Sequence, residues 1–280
     1  MAIMKEALAP GERRAALGAL LQYWRHARNL SQLALAHEAE VSPRHVCFLE
    51  TGRAKPSRDM VLHLAEALDV PLRERNTLLL AAGFAPMFRE STLDDRELAP
   101  VRTAIAAILK QQEPFPAVVM NRHWDIVATN GAAARFFSML LEGRSPQGAG
   151  NILRLMFHPD GLRPVVENWE AVAQSLVRRV HREALGGTLD EAGRELLSEV
   201  LHYPDVPKRL QTPDLGTPLV PVVPVSFGHR GETFNFFSAV TVLGTPQDIT
   251  LQELRVECFF PLDDATAAAA RALVETAGGS

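Results

Sequence analysis

The sequence predicts a two-domain chain. An all-α head of five helices comes first, followed by an α+β body with a five-stranded antiparallel sheet and inserted helices. Three observations carry this prediction. Up to Gly83, apolar residues recur at helical spacing between polar caps. Over 117–130 and again over 221–261 the period drops to two, as half-buried strands require. Between those stretches the helical period returns, so strands, helices and strands follow in α+β order. The boundaries read as head 1–83, linker 84–100 and body 101–280.

In the head, Leu17, Leu20, Leu21 and Trp24 fall at i, i+3, i+4 and i+7 of a first helix from about Gly11 to Asn29. Ser31 offers its hydroxyl to free backbone N–H groups and caps a second helix, with Leu35, Ala36 and Ala39 inward. After a tight turn at Glu40-Val41, Ser42 caps a third helix. Pro43 sits in its first turn, where a missing N–H costs nothing. Val46 and Leu49 point inward, and Gly52 accepts the left-handed stop. Ser57 caps a fourth helix with Val61, Leu64, Ala65 and Leu68 buried. A fifth runs from about Pro71 to Gly83.

Residues 17–83 resemble the Cro/repressor (XRE-type) helix-turn-helix family. The Ser-Gln that opens helix two, the Val-Ser entry to helix three and Leu-Glu-Thr-Gly-Arg followed by Pro56 carry the resemblance. That family places Gly in the turn, and this chain has Glu40. A non-Gly residue at positive φ costs on the order of 1 kcal/mol. The resemblance implies a DNA reader whose third helix enters the major groove. With Val46 and Leu49 inward, Pro43, Arg44 and Phe48 share the outward face, Ser42 stands at its edge, and His45 lies beside it. Arg44 can hold guanine O6 and N7 with two N–H bonds, and Phe48 can touch a thymine methyl. Gln32, at a helix N-terminus, can bond phosphate. Arg53 and Lys55 are placed to touch phosphates, which set register rather than sequence.

Residues 84–100 break the pattern, punctuated by Pro86 and Pro100. From Val101 a helix carries Ile105, Ile108 and Leu109 on one face. Val118–Met120 and Ile126–Thr129 read as a hairpin turning at Asn121-Arg122. A helix then starts at Gly131, and 151–162 form one further piece. A long amphipathic helix is expected from Pro164 to about Leu185, and another from Leu189 to Tyr203. Three strands follow at 221–227, 233–243 and 253–261, joined by a turn at 228–231 and a loop at 244–248. Pro221 and Pro224 put the first of these at an edge. Asp263 to Leu273 reads as a last helix.

This is also the strand order of a PAS fold. His-Trp-Asp-Ile-Val-Ala-Thr-Asn at 123–130, Asn-Ile-Leu-Arg-Leu-Met-Phe at 151–157 and Asn-Trp-Glu-Ala-Val-Ala at 168–173 resemble regulators with a MmyB-like, PAS-like ligand-binding domain. The resemblance is good over 114–185 and weaker beyond. It implies a small, partly apolar, fatty-acid-like ligand and no other cofactor. From the residues themselves, Phe136, Phe137, Met156, Phe157, Trp169, Phe234 and Phe236 are candidates to wall a pocket between sheet and helices. Asn130, Arg135, His158 and Arg163 are candidates to meet a polar head. Core filling is the competing reading of every one of these.

The charge is uneven. Residues 1–83 hold 11 Lys/Arg against 9 Asp/Glu, and the rest hold 18 against 24. A slightly basic head on an acidic body suits targeted DNA binding, not a general nucleic-acid coat. Cys47 and Cys258 form no disulfide framework. The body's histidines are scattered, with no metal-ligand spacing, and no nucleophile elbow, phosphate loop or dinucleotide turn occurs. The expectation is a non-enzymatic, cytoplasmic regulator without a membrane partner. Its partners would be a palindromic double-stranded DNA operator, a small-molecule effector and a second copy of itself. The alternative is a body that serves only dimerisation or protein interaction.

Overall fold

A computed structural model of the chain describes residues 10–185, 190–212, 224–243 and 247–275. They form two compact units. The first holds residues 10–90, 185 and 247–252, and the second holds the remainder.

The head contains α1 (Pro10–Ala27), α2 (Gln32–Glu38), α3 (Pro43–Glu50), α4 (Arg58–Ala67) and α5 (Leu72–Ala81). The three serines cap as expected. Ser31, Ser42 and Ser57 accept from the N–H groups of Ala34, His45 and Met60 at 3.0, 3.2 and 3.1 Å. Leu17, Leu21, Trp24, Leu35, Val46, Leu49 and Leu64 form one core. Gly18 is required where α1 crosses the end of α3, because a Cβ there would lie 2.3 Å from the Glu50 carbonyl oxygen. Glu40 takes φ 50°, so the turn carries a non-Gly residue in the left-handed region. At the end of α3, Gly52 adopts φ 69°, and the Arg53 N–H donates back to the Phe48 carbonyl at 2.8 Å. That pairing satisfies helix-end carbonyls.

The body contains α6 (Ala99–Gln112), β1 (Ala117–Met120), β2 (Ile126–Thr129), α7 (Gly131–Leu141), α8 (Ile152–Phe157), α9 (Trp169–Leu185) and α10 (Glu191–Leu201). After these come β3 (Pro224–His229), β4 (Glu232–Val242), β5 (Arg255–Pro261) and α12 (Asp264–Glu275), while α11 (Ile249–Glu253), between β4 and β5 in sequence, groups up to Gln252 with the first unit. The strands make one antiparallel sheet in the order β2-β1-β5-β4-β3. Arg230 and Gly231, both at positive φ, turn β3 into β4 in the manner of a tight hairpin. Pro224 opens an edge strand, as the sequence suggests. Pro221 lies outside the described residues.

Register fixes which side chains share a face. Val225 opposes Phe236 and Phe227 opposes Phe234 across β3 and β4. Ser238 opposes Phe259 and Val240 opposes Glu257 across β4 and β5, and Glu257 opposes Val118 on β1. One face therefore carries Phe234, Phe236, Ser238 and Val240 in a row along β4.

Two expectations need correction. The long helix begins at Trp169, not Pro164. Only Arg163–Val165 form a single 3₁₀ turn before the chain straightens at Val166. Val166 bridges Phe227, the Glu167 N–H donates to the Ser226 carbonyl at 2.8 Å, and Asn168 bonds both Ser226 and Pro224. These three residues cover the open edge of β3, which outweighs continuing the helix. The last strand begins at Arg255, not Glu253, because α11 precedes it. Ile249 is buried, its N–H donates to the Arg89 carbonyl at 2.9 Å, and Gln252 Oε1 accepts the Leu72 N–H at the start of α5 at 2.7 Å. Part of the expected loop at 244–248 lies outside the described residues.

Candidate functional site

The head presents α3 as an exposed rod. Val46 and Leu49 are buried, while Ser42, Pro43 and Arg44 are exposed and His45 and Phe48 are half-buried. The Arg44 guanidinium lies 5.1 Å from the centre of the Phe48 ring, one turn further along the helix. That contact holds a flexible cation beside an apolar ring on the outer side of α3. Arg53 and Lys55 are exposed just beyond the helix.

Gln32, half-buried at the start of α2, is tethered within the head. Its Nε2 donates to Glu50 Oε2 at 2.8 Å. Glu50 also accepts from Arg25 Nε at 2.6 Å and Arg25 Nη2 at 2.9 Å. Arg25 further donates to the Leu30 carbonyl at 2.9 Å, which closes the α1–α2 corner. The Arg25 and Glu50 side chains are only 7% and 3% exposed. Burial pushes the Glu50 carboxyl up, but the bonds from Arg25 and Gln32 outweigh it and hold the group below its ordinary range. The carboxamide of Gln32 is thereby oriented at the front of α2. Sequence reasoning missed Arg25 and Glu50, whose partnership spans 25 residues.

The body forms a cavity of about 500 Å³, partly open to solvent, between the sheet and α7, α8 and α9. That volume falls in the range of small-molecule sites. β4 contributes Ser238 and Val240, β5 contributes Glu257 and Phe259, and β1 contributes Val118 and Met120. From α9 come Val172, Ser175, Leu176 and Arg179, at i, i+3, i+4 and i+7 on one stripe. Phe137, Ile152 and Met156 belong to the same wall. The lining is apolar except at Ser175, Ser238, Arg179 and Glu257.

None of the nine residues singled out as ligand-binding lines this cavity, although Phe137 and Met156 of the wider apolar set do. Phe136 packs edge-to-face on Phe227, Phe234 and Phe236 at 5.3, 5.4 and 5.5 Å, so these aromatics fill the core beside the cavity. Phe157 is fully buried against Trp169, whose Nε1 donates to the Met156 carbonyl at 2.8 Å. Asn130 is a buried cap. It accepts from the Ala117 and Ala133 N–H groups at 3.0 and 2.9 Å and donates to the Phe115 carbonyl at 2.8 Å. Arg135 pairs with Glu113 at 3.3 Å. His158 accepts from the Asp160 N–H and packs on Tyr203. Arg163 lies over Trp169 and donates to the carbonyls of Pro204 and Asp205. Each is committed to holding the fold.

The polar end of the cavity was not anticipated. The Arg179 guanidinium lies 4.8 Å from the Trp124 ring centre, and Arg255 lies 5.4 Å from the same ring. Glu183 approaches both, Arg255 Nη1 at 2.6 Å and Arg179 Nε at 3.8 Å. Burial pulls the Arg179 guanidinium down, opposed chiefly by the nearby Glu257 carboxylate. The signal available in the sequence was the stripe of α9 that ends in arginine.

The comparisons agree with this division. The family described as MmyB-like transcription regulator ligand binding domain matches residues 101–273, and a helix-turn-helix domain family matches residues 16–78. No curated protein matches the chain. Among solved structures, the clp gene regulator ClgR from C. glutamicum is 29% identical over 28% of this chain and 92% of that one, with a TM-score of 0.23. An RNA-binding light-oxygen-voltage receptor is 13% identical over 96% of this chain and 64% of that one, with a TM-score of 0.25.

Proposed function

The chain belongs to the MmyB-like transcription regulators, and from that premise we propose that it reads one operator sequence as a homodimer and changes its hold on that operator when a small, partly apolar, fatty-acid-like molecule enters the body. A single small helix-turn-helix reads too few base pairs for an address. Two copies on a palindrome, with half-sites ~34 Å apart or a multiple of that, meet the need. Arg44 and Phe48 read bases, Gln32, Arg53 and Lys55 hold phosphates, and Ser42, Pro43 and His45 set the approach of α3. The cell compartment that fits this work is the cytoplasm. No described helix is long and apolar enough to cross a membrane.

The observation that carries the sensing half is the cavity of about 500 Å³. A body built only for dimerisation calls for a filled core at that place. The coupling has a covalent route. β4 and β5 both wall the cavity, and 247–252, the segment between them in sequence, folds with the head unit. A ligand that prefers one placement of those strands thereby biases the head.

Native mass spectrometry of the purified chain tests this directly. The expected spectrum is a dimer carrying a small hydrophobic molecule. Stripping that molecule should change operator affinity in a gel-shift titration. A protein whose operator affinity is the same with the cavity loaded and empty leaves the sensing proposal without support.

A further inference from the structure

We propose that the cavity selects an uncharged amphiphile, an apolar chain ending in a group that both donates and accepts hydrogen bonds, such as a primary amide, with Arg179 and Glu257 reading that end. The inference rests on the reading that this cavity is the effector site, and it deepens that reading by naming the head group.

The argument begins with charge. Arg179 and Glu257 line the same cavity, and they attract one another across it. Behind them, Arg255 meets Glu183 at 2.6 Å, and Glu183 also lies 3.8 Å from Arg179. The cluster thus holds two cations and two anions and is already neutral. Both guanidiniums also lie against the Trp124 ring, 4.8 and 5.4 Å from its centre. A carboxylate entering here would add an unbalanced negative charge beside Glu257, in a site whose other walls are apolar. Removing that charge from water is costly without a free cation to meet it.

A neutral amide avoids the cost. Its N–H donates to the Glu257 carboxylate and its carbonyl accepts from Arg179, both charge-assisted bonds. Ser175 on α9 and Ser238 on β4 line the cavity as well and can serve the same end. The chain then lies along Val118, Met120, Leu176 and Phe259, where apolar contact favours it. The fatty-acid-like shape is kept, and only its ionised end is replaced.

The test compares three probes on the full chain after delipidation: dodecanoate, dodecanamide and 1-dodecanol, each titrated at pH 7.5 by calorimetry with a thermal-shift readout beside it. Dodecanamide should bind about tenfold tighter than dodecanoate, the scale of one charge-assisted bond gained or lost. Glu257→Gln keeps the shape and removes the competing anion. It should reverse the order, raising dodecanoate affinity about tenfold while weakening dodecanamide. Ser238→Leu, which fills the cavity from β4, should abolish binding of all three with little change in melting temperature. Dodecanoate binding the wild-type chain as tightly as the amide overturns the inference while leaving the effector site standing. If none of the three probes binds, the effector-site reading fails and takes the inference with it.

Discussion

Replacing Glu50 with alanine tests the head more sharply than any change on its DNA-facing surface. Glu50 accepts three hydrogen bonds, two from Arg25 and one from Gln32, and its side chain is 3% exposed. Removing one partner of a buried ion pair leaves the other charge uncompensated and costs about 3–5 kcal/mol. A domain of this size holds only about 5–15 kcal/mol in total, so a head opening at much lower cost is expected. Native-state hydrogen exchange on the full chain isolates the effect. Amides of Leu35, Val46 and Leu49 should exchange at least a hundredfold faster, about 3 kcal/mol, while those of β1 and β5 stay unchanged. Gln32 also loses its anchor, so operator affinity should fall in the fraction that remains folded. The dependence on pH has a definite sign. The Glu50 carboxyl lies below its ordinary value of 4.5 in the folded head. Its contribution is therefore complete above that value and is lost as pH falls through the folded one. The gap between wild type and variant should be full at neutral pH and close in acid. A loss under about 1 kcal/mol at neutral pH, the scale of an exposed pair, would refute the claim that this network holds α1, α2 and α3 together.

The other expectations concern the two sites. Arg44→Ala should relax base preference at one position per half-site, worth about 1–3 kcal/mol, in a selection from random duplexes. An unchanged selected motif would mean that α3 is oriented differently on DNA. Lys55→Ala should weaken all duplexes alike and lower the slope of log affinity against log salt by about one. A sequence-dependent loss would move Lys55 from phosphate to base. Asn130→Ala removes a helix cap and strands the Ala117 N–H and Phe115 carbonyl, for a loss of about 3 kcal/mol in thermal unfolding. Effector affinity should stay within about twofold, and a large selective loss of affinity would return Asn130 to the ligand site.

The head was legible because its signals are local. A serine cap bonds an N–H three residues on, and a buried stripe repeats within a turn or two, so a single pass finds Ser31, Ser42, Ser57, Val46 and Leu49. The tether of Gln32 was not legible for the opposite reason. From sequence, a glutamine at a helix start reads as a free phosphate ligand. Nothing within a few residues announces that Glu50, 18 positions away, holds its amide and is itself held by Arg25. The late start of α9 has the same origin. Residues 163–168 satisfy helical spacing, but Val166 and Glu167 are claimed by the edge of β3, an element some 60 residues further on.

The cavity was missed for a subtler reason, which also says where to look. Large aromatics are candidates for pocket walls as readily as for core, yet their bulk is what abolishes a pocket. Along β4 the row on the cavity face reads Phe234, Phe236, Ser238, Val240. The two phenylalanines meet Phe136 and close the space, and the cavity opens at the serine. Across from it, the stripe of α9 also thins to a hydroxyl at Ser175 before ending in Arg179. Two small residues in the walls of one cavity, one from the sheet and one from the helix, remove side-chain volume that close packing would otherwise demand. An apolar row that loses bulk partway along, opposite a helix that does the same, is therefore the stronger trace of a ligand site in a fold of this kind. A half-buried charged residue one turn beyond the gap, here Arg179 paired through Glu183 to Arg255, then marks the polar end of such a cavity.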